Sequence, residues 1–244
     1  MYRFTGAMRL RAPTYRLAIA VLLLGAAAPA CAGSTSSTDG AAAPSPAETS
    51  STPHHSATPQ DDPLFPNGLY GVPLERPVEK VDFTLTDQRG RPFRFLEDTD
   101  GKLTLLFFGY THCPDVCPGT MGALAVAMRG LPESITDRIA VVFVTVDPAR
   151  DTPQALTDWI ANFDPEYTAL SGTDQAIVRI QESFGVKPAE RVDYGGGEYG
   201  MDHAAYVLAF TTDGLAHAIY PFGMTVERFA HDLPILVEEG WKEI

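Results

Sequence analysis

Cys113 and Cys117 stand four residues apart in the run FFGYTHCPDVCP (residues 107–118), each followed by a proline. They are two of only three cysteines in 244 residues. Thiols so spaced can close a disulfide, exchange electrons with another dithiol, or bind a soft metal as thiolates. The purely structural disulfide is the weakest reading, because a bond across four residues closes a very small loop and constrains little of the unfolded chain. A peroxidase is also disfavoured: the threonine that peroxidatic sites place three residues before the cysteine stands two before it, as Thr111. Six histidines could add a nitrogen donor. His54 and His55 lie in a polar stretch, and His112, next to Cys113 on an extended segment, should point to the opposite face. His217 reads as a strand residue and His231 as a helix-surface one. His203 directly precedes an apolar strand, a position that alone does not mark a ligand.

The elements around the cysteines are legible from hydrophobic pattern. KLTLLFFGY (102–110) and IAVVFVTV (139–146) are continuous apolar runs, as expected of strands buried on both faces of a sheet. Between them MGALAVAMRG (121–130) predicts a helix, and helical spacing returns in DTPQALTDWIANF (151–163) and TDQAIVRIQESF (173–184). VDFTLT and PFRF (81–95) predict one hairpin, AAYVLAF and LAHAIY (204–220) a second, and a last helix starts near Thr225. This order predicts an α/β, thioredoxin-like fold with a mixed central sheet flanked by helices. The cysteines then fall at the carboxyl end of the first buried strand, where reactive groups gather in such sheets. Pro118 suits the first helical position, which sets Cys117 at or near the N-cap, where the helix terminus favours thiolate. Asp115, between the sulfurs, opposes that effect. The segment GVKPAERVDYGGGEYGM (185–201) reads as a loop too glycine-rich for rigid packing, whose mobility could let His203 approach and leave the sulfurs.

Composition and the N-terminal segment set the organisation. Arg3, Arg9, Arg11 and Arg16 precede fourteen apolar or small residues, Leu17 to Ala30, too few for the roughly 20 a spanning helix needs. Residues 1–30 are therefore expected to be a signal peptide, and the protein to be exported. APAC (28–31) resembles a bacterial lipobox, although Ala28 takes the place of the usual leucine; it makes Cys31 a candidate lipidated N-terminus. The rival is ordinary secretory cleavage after Ala30 or Ala32. Residues 31–63 hold almost nothing large and apolar and read as a disordered Ala/Ser/Thr/Pro linker. Residues 64–244 are expected to form the one folded domain. The net charge of -13, which becomes -17 without the acid-free first thirty residues and their four arginines, argues against nucleic acid as a partner.

GYTHCPDVCP (109–118), VTVDPARDTP (144–153), ALSGTDQAI (169–177) and YGMDHAAYVLAFTTDG (199–214) together resemble the Sco/SenC family, in order, over roughly residues 78–240. These are thioredoxin-like copper-binding proteins implicated in cytochrome c oxidase assembly. The resemblance implies one copper per chain, as Cu(I) or Cu(II), held by Cys113, Cys117 and His203. Two thiolates and an imidazole match copper, whereas structural zinc normally calls for a fourth protein ligand. Ala204 stands where the family has serine, and Asp202-His203 replaces the cis-proline of thioredoxin-like oxidoreductases. Asp147 is a candidate to orient the site from behind the ligands or to assist docking. Asp151 and Thr152 read as the cap of the following helix. The implied function is that of a metallochaperone rather than an enzyme: a copper-binding assembly factor that delivers copper to, or reduces the cysteines of, the dinuclear copper site of the oxidase. The alternative is a thiol-disulfide oxidoreductase using Cys113 and Cys117. Expected partners are the oxidase's copper-binding subunit, a copper donor, a thiol reductant and, through a lipid on Cys31, the outer face of the bacterial cytoplasmic membrane.

Overall fold

A computed structural model describes residues 65–242. The expected signal peptide, Cys31, His54, His55 and the linker lie outside the described residues. The first elements of the described residues are β1 (Val72–Glu79), the hairpin β2 (Thr84–Asp87) and β3 (Pro92–Arg94), and the short α1 (Phe95–Asp98). Next come β4 (Leu103–Gly109), α2 (Val116–Arg129), α3 (Glu133–Thr136), β5 (Ile139–Thr145) and α4 (Pro153–Ile160). Then follow β6 (Thr168–Ser171), α5 (Asp174–Ser183), β7 (Glu190–Gly195) and β8 (Glu198–Asp202). The chain closes with β9 (Tyr206–Phe210), β10 (Leu215–Pro221) and α6 (Val226–Glu238).

All seven residues of β4 are buried, as are six of the seven in β5, so these strands take the middle of the sheet. The eight-stranded order is β1-β10-β9-β4-β5-β6-β2-β3. β4, β5 and β6 run parallel, and β9 pairs antiparallel with β4, which makes the sheet mixed, as expected. The buried residues of α2 include Cys117, Met121, Leu124, Ala125 and Met128, a single helical stripe facing the core. Cys117 is therefore a core residue of its helix as well as a chemical group. No helix among the described residues is long and apolar enough to cross a membrane.

The stretch 185–201, expected as a loop, is instead mostly the two-stranded hairpin β7–β8. Gly195, Gly196 and Gly197 all have positive φ and form its turn, so the glycine run builds a tight reversal. In the eight-stranded sheet, β1 is held at an edge. Asp232 of α6, wholly buried, accepts hydrogen bonds from the backbone N–H groups of Tyr70 and Gly71 at 2.9 Å each and from the Tyr220 hydroxyl at 3.0 Å. Those bonds fasten the chain where it enters the domain.

Candidate metal centre

Strand β4 ends at Gly109, and the chain turns through Tyr110 to Asp115 into α2. This helix begins earlier than its sequence suggests: Asp115 is the N-cap, its carboxylate accepting from the Val116 N–H at 2.7 Å, and Cys117 sits in the first turn. Pro118 is tolerated as the third helical residue because N–H groups there have no intrahelical partner. One of these otherwise unpaired groups, the Cys117 N–H, donates to Cys113 Sγ at 3.3 Å, so the first sulfur is bound to the helix terminus.

The sulfurs differ sharply. Cys113 is pulled down to about 4 by a hydrogen bond from the Cys117 thiol, against the opposing effect of burial and with help from the His203 side chain and from the backbone N–H groups of Cys117 and Asp115. Cys117 moves far upward, chiefly because its proton is shared with Cys113, then through burial and the negative charge beside it. The pair thus holds one proton readily released and one retained. Both cysteines are free thiols in this structure.

Strand β8 delivers His203. Its Nδ1 lies 3.1 Å from the Ala204 carbonyl oxygen, which can only accept, so Nδ1 donates there and Nε2 is the nitrogen turned toward the sulfurs. Nε2 is 3.5 Å from Cys117 Sγ, across 86 residues of chain. Tyr110 and Phe107 meet the imidazole edge to face, with ring centroids at 5.6 and 6.1 Å. The two Sγ atoms and a His203 ring nitrogen all lie within 4.8 Å of one another, the spacing a single ion needs to be ligated by all three. Two soft sulfurs and one imidazole fit copper, with no fourth protein donor among the described residues for tetrahedral zinc. His112 stands outside this cluster; its Nδ1 is 3.0 Å from the Thr111 hydroxyl. His217 lies in β10, bonded to Asp213 and stacked on Trp241, and His231 lies in α6 beside Asp232.

Asp147 forms no hydrogen bond with any of the three ligands. It pairs with Arg150 and accepts from the Tyr199 hydroxyl at 3.0 Å, while Arg150 also donates to the Tyr199 carbonyl at 3.0 Å. The Tyr199 ring lies against the guanidinium groups of Arg150 and Arg191, 3.5 and 3.8 Å from its centroid. Asp147 therefore fastens the hairpin that carries His203 to the end of β5. Asp151 is not part of a helix cap, contrary to the sequence reading. Thr152 alone caps α4, its side chain accepting from the Ala155 N–H, and Asp151 turns inward to the cysteine loop.

Gly109 is a site residue with no sequence signal of its own. A Cβ there would come within 2.7 Å of Cys117 Sγ and 2.8 Å of Phe143. Only a glycine at the end of β4 leaves room for the second sulfur.

A family model described as SCO1/SenC matches residues 73–238, more than half of the chain. The chain belongs to the SCO1/SenC family. A Bos taurus protein named "Protein SCO2 homolog, mitochondrial" is 34% identical over 158 residues, 62% of this chain and 57% of the bovine one, so the chain spans little more than half of that relative. Among solved Sco structures, copper-bound ScoI of Bradyrhizobium japonicum is 36% identical, with a TM-score of 0.58 over 64% of this chain and 98% of that one. Apo Sco1 of Thermus thermophilus is 37% identical, with a TM-score of 0.61 over 69% of this chain and 96% of that one. These likenesses agree with the thioredoxin-like reading of the sheet and helices. Within the family match lie all three candidate ligands, Asp147 and Asp151.

Proposed function

We propose that this protein is a copper-binding assembly factor that delivers copper to the dinuclear copper site of cytochrome c oxidase or keeps the cysteines of that site reduced. The observation that carries the reading is the convergence of Cys113, Cys117 and His203 within 4.8 Å, a donor set matched to copper. Copper bound to a Bradyrhizobium relative 36% identical to this chain supports the same reading. Copper is the cargo, one ion per chain, as Cu(I) or Cu(II). Bound there, it accepts electron density from both sulfurs and the ring nitrogen and holds the three side chains together.

The chain's own residues prepare that event. Cys113 enters as thiolate, Cys117 gives up its retained proton on loading, and His203 offers Nε2 because its other nitrogen is committed to the Ala204 carbonyl. A disulfide between the cysteines removes both donors, so loading requires prior reduction by a thiol reductant. The asymmetry of the two sulfurs also favours a second reading, thiol-disulfide exchange, with Cys113 attacking and Cys117 resolving the mixed disulfide. The two readings use the same atoms. Export, a lipid on Cys31 and residence at the outer face of the bacterial cytoplasmic membrane complete the proposal. So do a separate copper donor and the oxidase's copper-binding subunit as acceptor.

Anaerobic copper titration of the reduced protein tests the first reading. Wild type should bind one equivalent, and His203→Ala should weaken Cu(II) binding by at least about tenfold, with little change in the reduction potential of the dithiol. Equal Cu(II) affinity in both proteins refutes the three-ligand site and leaves thiol exchange as the function.

A further inference from the structure

Asp151 has a fully buried side chain, and its carboxylate accepts three hydrogen bonds and donates none. Oδ1 accepts from the Thr111 hydroxyl at 2.6 Å; Oδ2 accepts from the Thr111 N–H at 3.0 Å and the Thr145 hydroxyl at 2.5 Å. Thr111 lies two residues before Cys113, so this carboxylate is fixed directly behind the cysteine loop.

The other acids near the site are neutralised or exposed. Asp147 is paired with Arg150, Asp115 is solvent-exposed at the N-cap, and Asp202 is exposed and faces Lys187 at 3.5 Å. Among the described residues no lysine or arginine forms an ion pair with Asp151. His112, half exposed, lies 3.7 Å from Oδ1, and Arg150, already paired with Asp147, feels the Asp151 charge without forming an ion pair with it. A buried charge held by neutral donors rather than by a close ion pair acts on its neighbours through a low dielectric, with little screening by salt.

The charge count at the sulfurs then decides which oxidation state Asp151 favours. Two thiolates with Cu(II) are neutral in sum, whereas two thiolates with Cu(I) carry one negative charge. A fixed negative charge beside them raises the free energy of the second state relative to the first. We propose that Asp151 is a positioning residue whose buried charge biases the Cys113–Cys117–His203 site toward Cu(II) over Cu(I). The inference rests on the copper reading above and specifies the oxidation state that reading leaves open.

The test uses the full chain. Asp151→Asn keeps the shape and removes the charge, since the threonine hydroxyls can rotate to suit an amide. Thr145→Val removes one donor from the carboxylate and leaves its charge less compensated. Cu(I) and Cu(II) affinities are measured by chelator competition, the copper potential by spectroelectrochemistry with the electrode supplying the electron, and the thermal stability of the metal-free proteins in parallel. Asp151→Asn should raise the ratio of Cu(I) to Cu(II) affinity by about tenfold, or about 59 mV in potential for one electron. Thr145→Val should move the ratio the opposite way. Loss of both affinities in equal proportion, or shifts of the same sign in both variants, overturns the proposal and leaves Asp151 as a brace of the loop. A wild type that binds no copper refutes the copper reading itself and the proposal with it; wild-type binding with an unmoved ratio refutes the proposal alone.

Discussion

The two cysteines, alike in type and four residues apart, are made unlike by their positions on either side of one helix start. Cys113 lies outside α2 and collects hydrogen bonds, while Cys117 lies on the buried stripe within it. At pH 7 iodoacetamide should therefore alkylate Cys113 at least about tenfold faster than Cys117. Because the folded Cys113 titrates at about 4, its thiolate absorbance should persist down to about pH 5 and vanish below about pH 3. Mass spectrometry after partial labelling and ultraviolet titration check the two halves of this prediction; equal labelling would show that the sulfurs share their proton evenly. The sequence made the sulfurs conspicuous by spacing alone, but His203 became a ligand candidate through the family resemblance and its place where thioredoxin-like oxidoreductases carry a cis-proline. Asp151 was hidden by its setting, since aspartate before Thr-Pro imitates a helix cap. Only the folded contact with Thr111 separates the two roles.

Among the elements, β4 and α2 act as a unit because Gly109 lets the strand end pack against the sulfur on the helix. Gly109→Ala should cost about 1–3 kcal/mol of stability, as overpacking does, and should disturb copper binding by displacing Cys117. Urea unfolding alongside copper titration checks this, and a variant with unchanged stability would mean that α2 shifts freely on the sheet. The central strands were legible because their apolar runs are uninterrupted, and α2 because its apolar positions keep helical spacing. β1 was not, since VPLERPVE contains two prolines and mostly polar or half-buried residues, a composition tolerated only at a sheet edge. The β7–β8 hairpin was missed for a related reason: every residue of β7 is exposed, so no burial pattern marks it. Its order comes from Tyr199, Asp147 and Arg150, contacts that no local window of sequence contains.

At the scale of the whole molecule, the chemistry occupies one end of the parallel strands and a different ionisable group occupies the other. Lys80, bonded to the Thr99 carbonyl and the Thr104 hydroxyl, is lowered to about 8 by burial, with Asp100 opposing. Its unfolded value is about 10.5, so between pH 8 and 10.5 the unfolded chain binds more protons at this residue than the folded one. This group therefore adds stability as pH rises through that window. Lys80→Met should remove the rise: the stability difference between wild type and variant, followed by urea unfolding from pH 7.5 to 10, should shift in favour of wild type as pH increases. A constant difference would mean that the folded lysine titrates normally. The latch at Asp232 has a mechanical consequence. A pull on the chain ahead of residue 65 falls first on the bonds from Tyr70 and Gly71, then on the pairing of β1 with β10. Two strands, β10 and β9, stand between that loaded edge and β4. Along the sheet, tension applied at that edge must therefore break these bonds and pass two strands before it reaches the strand that ends at the sulfurs.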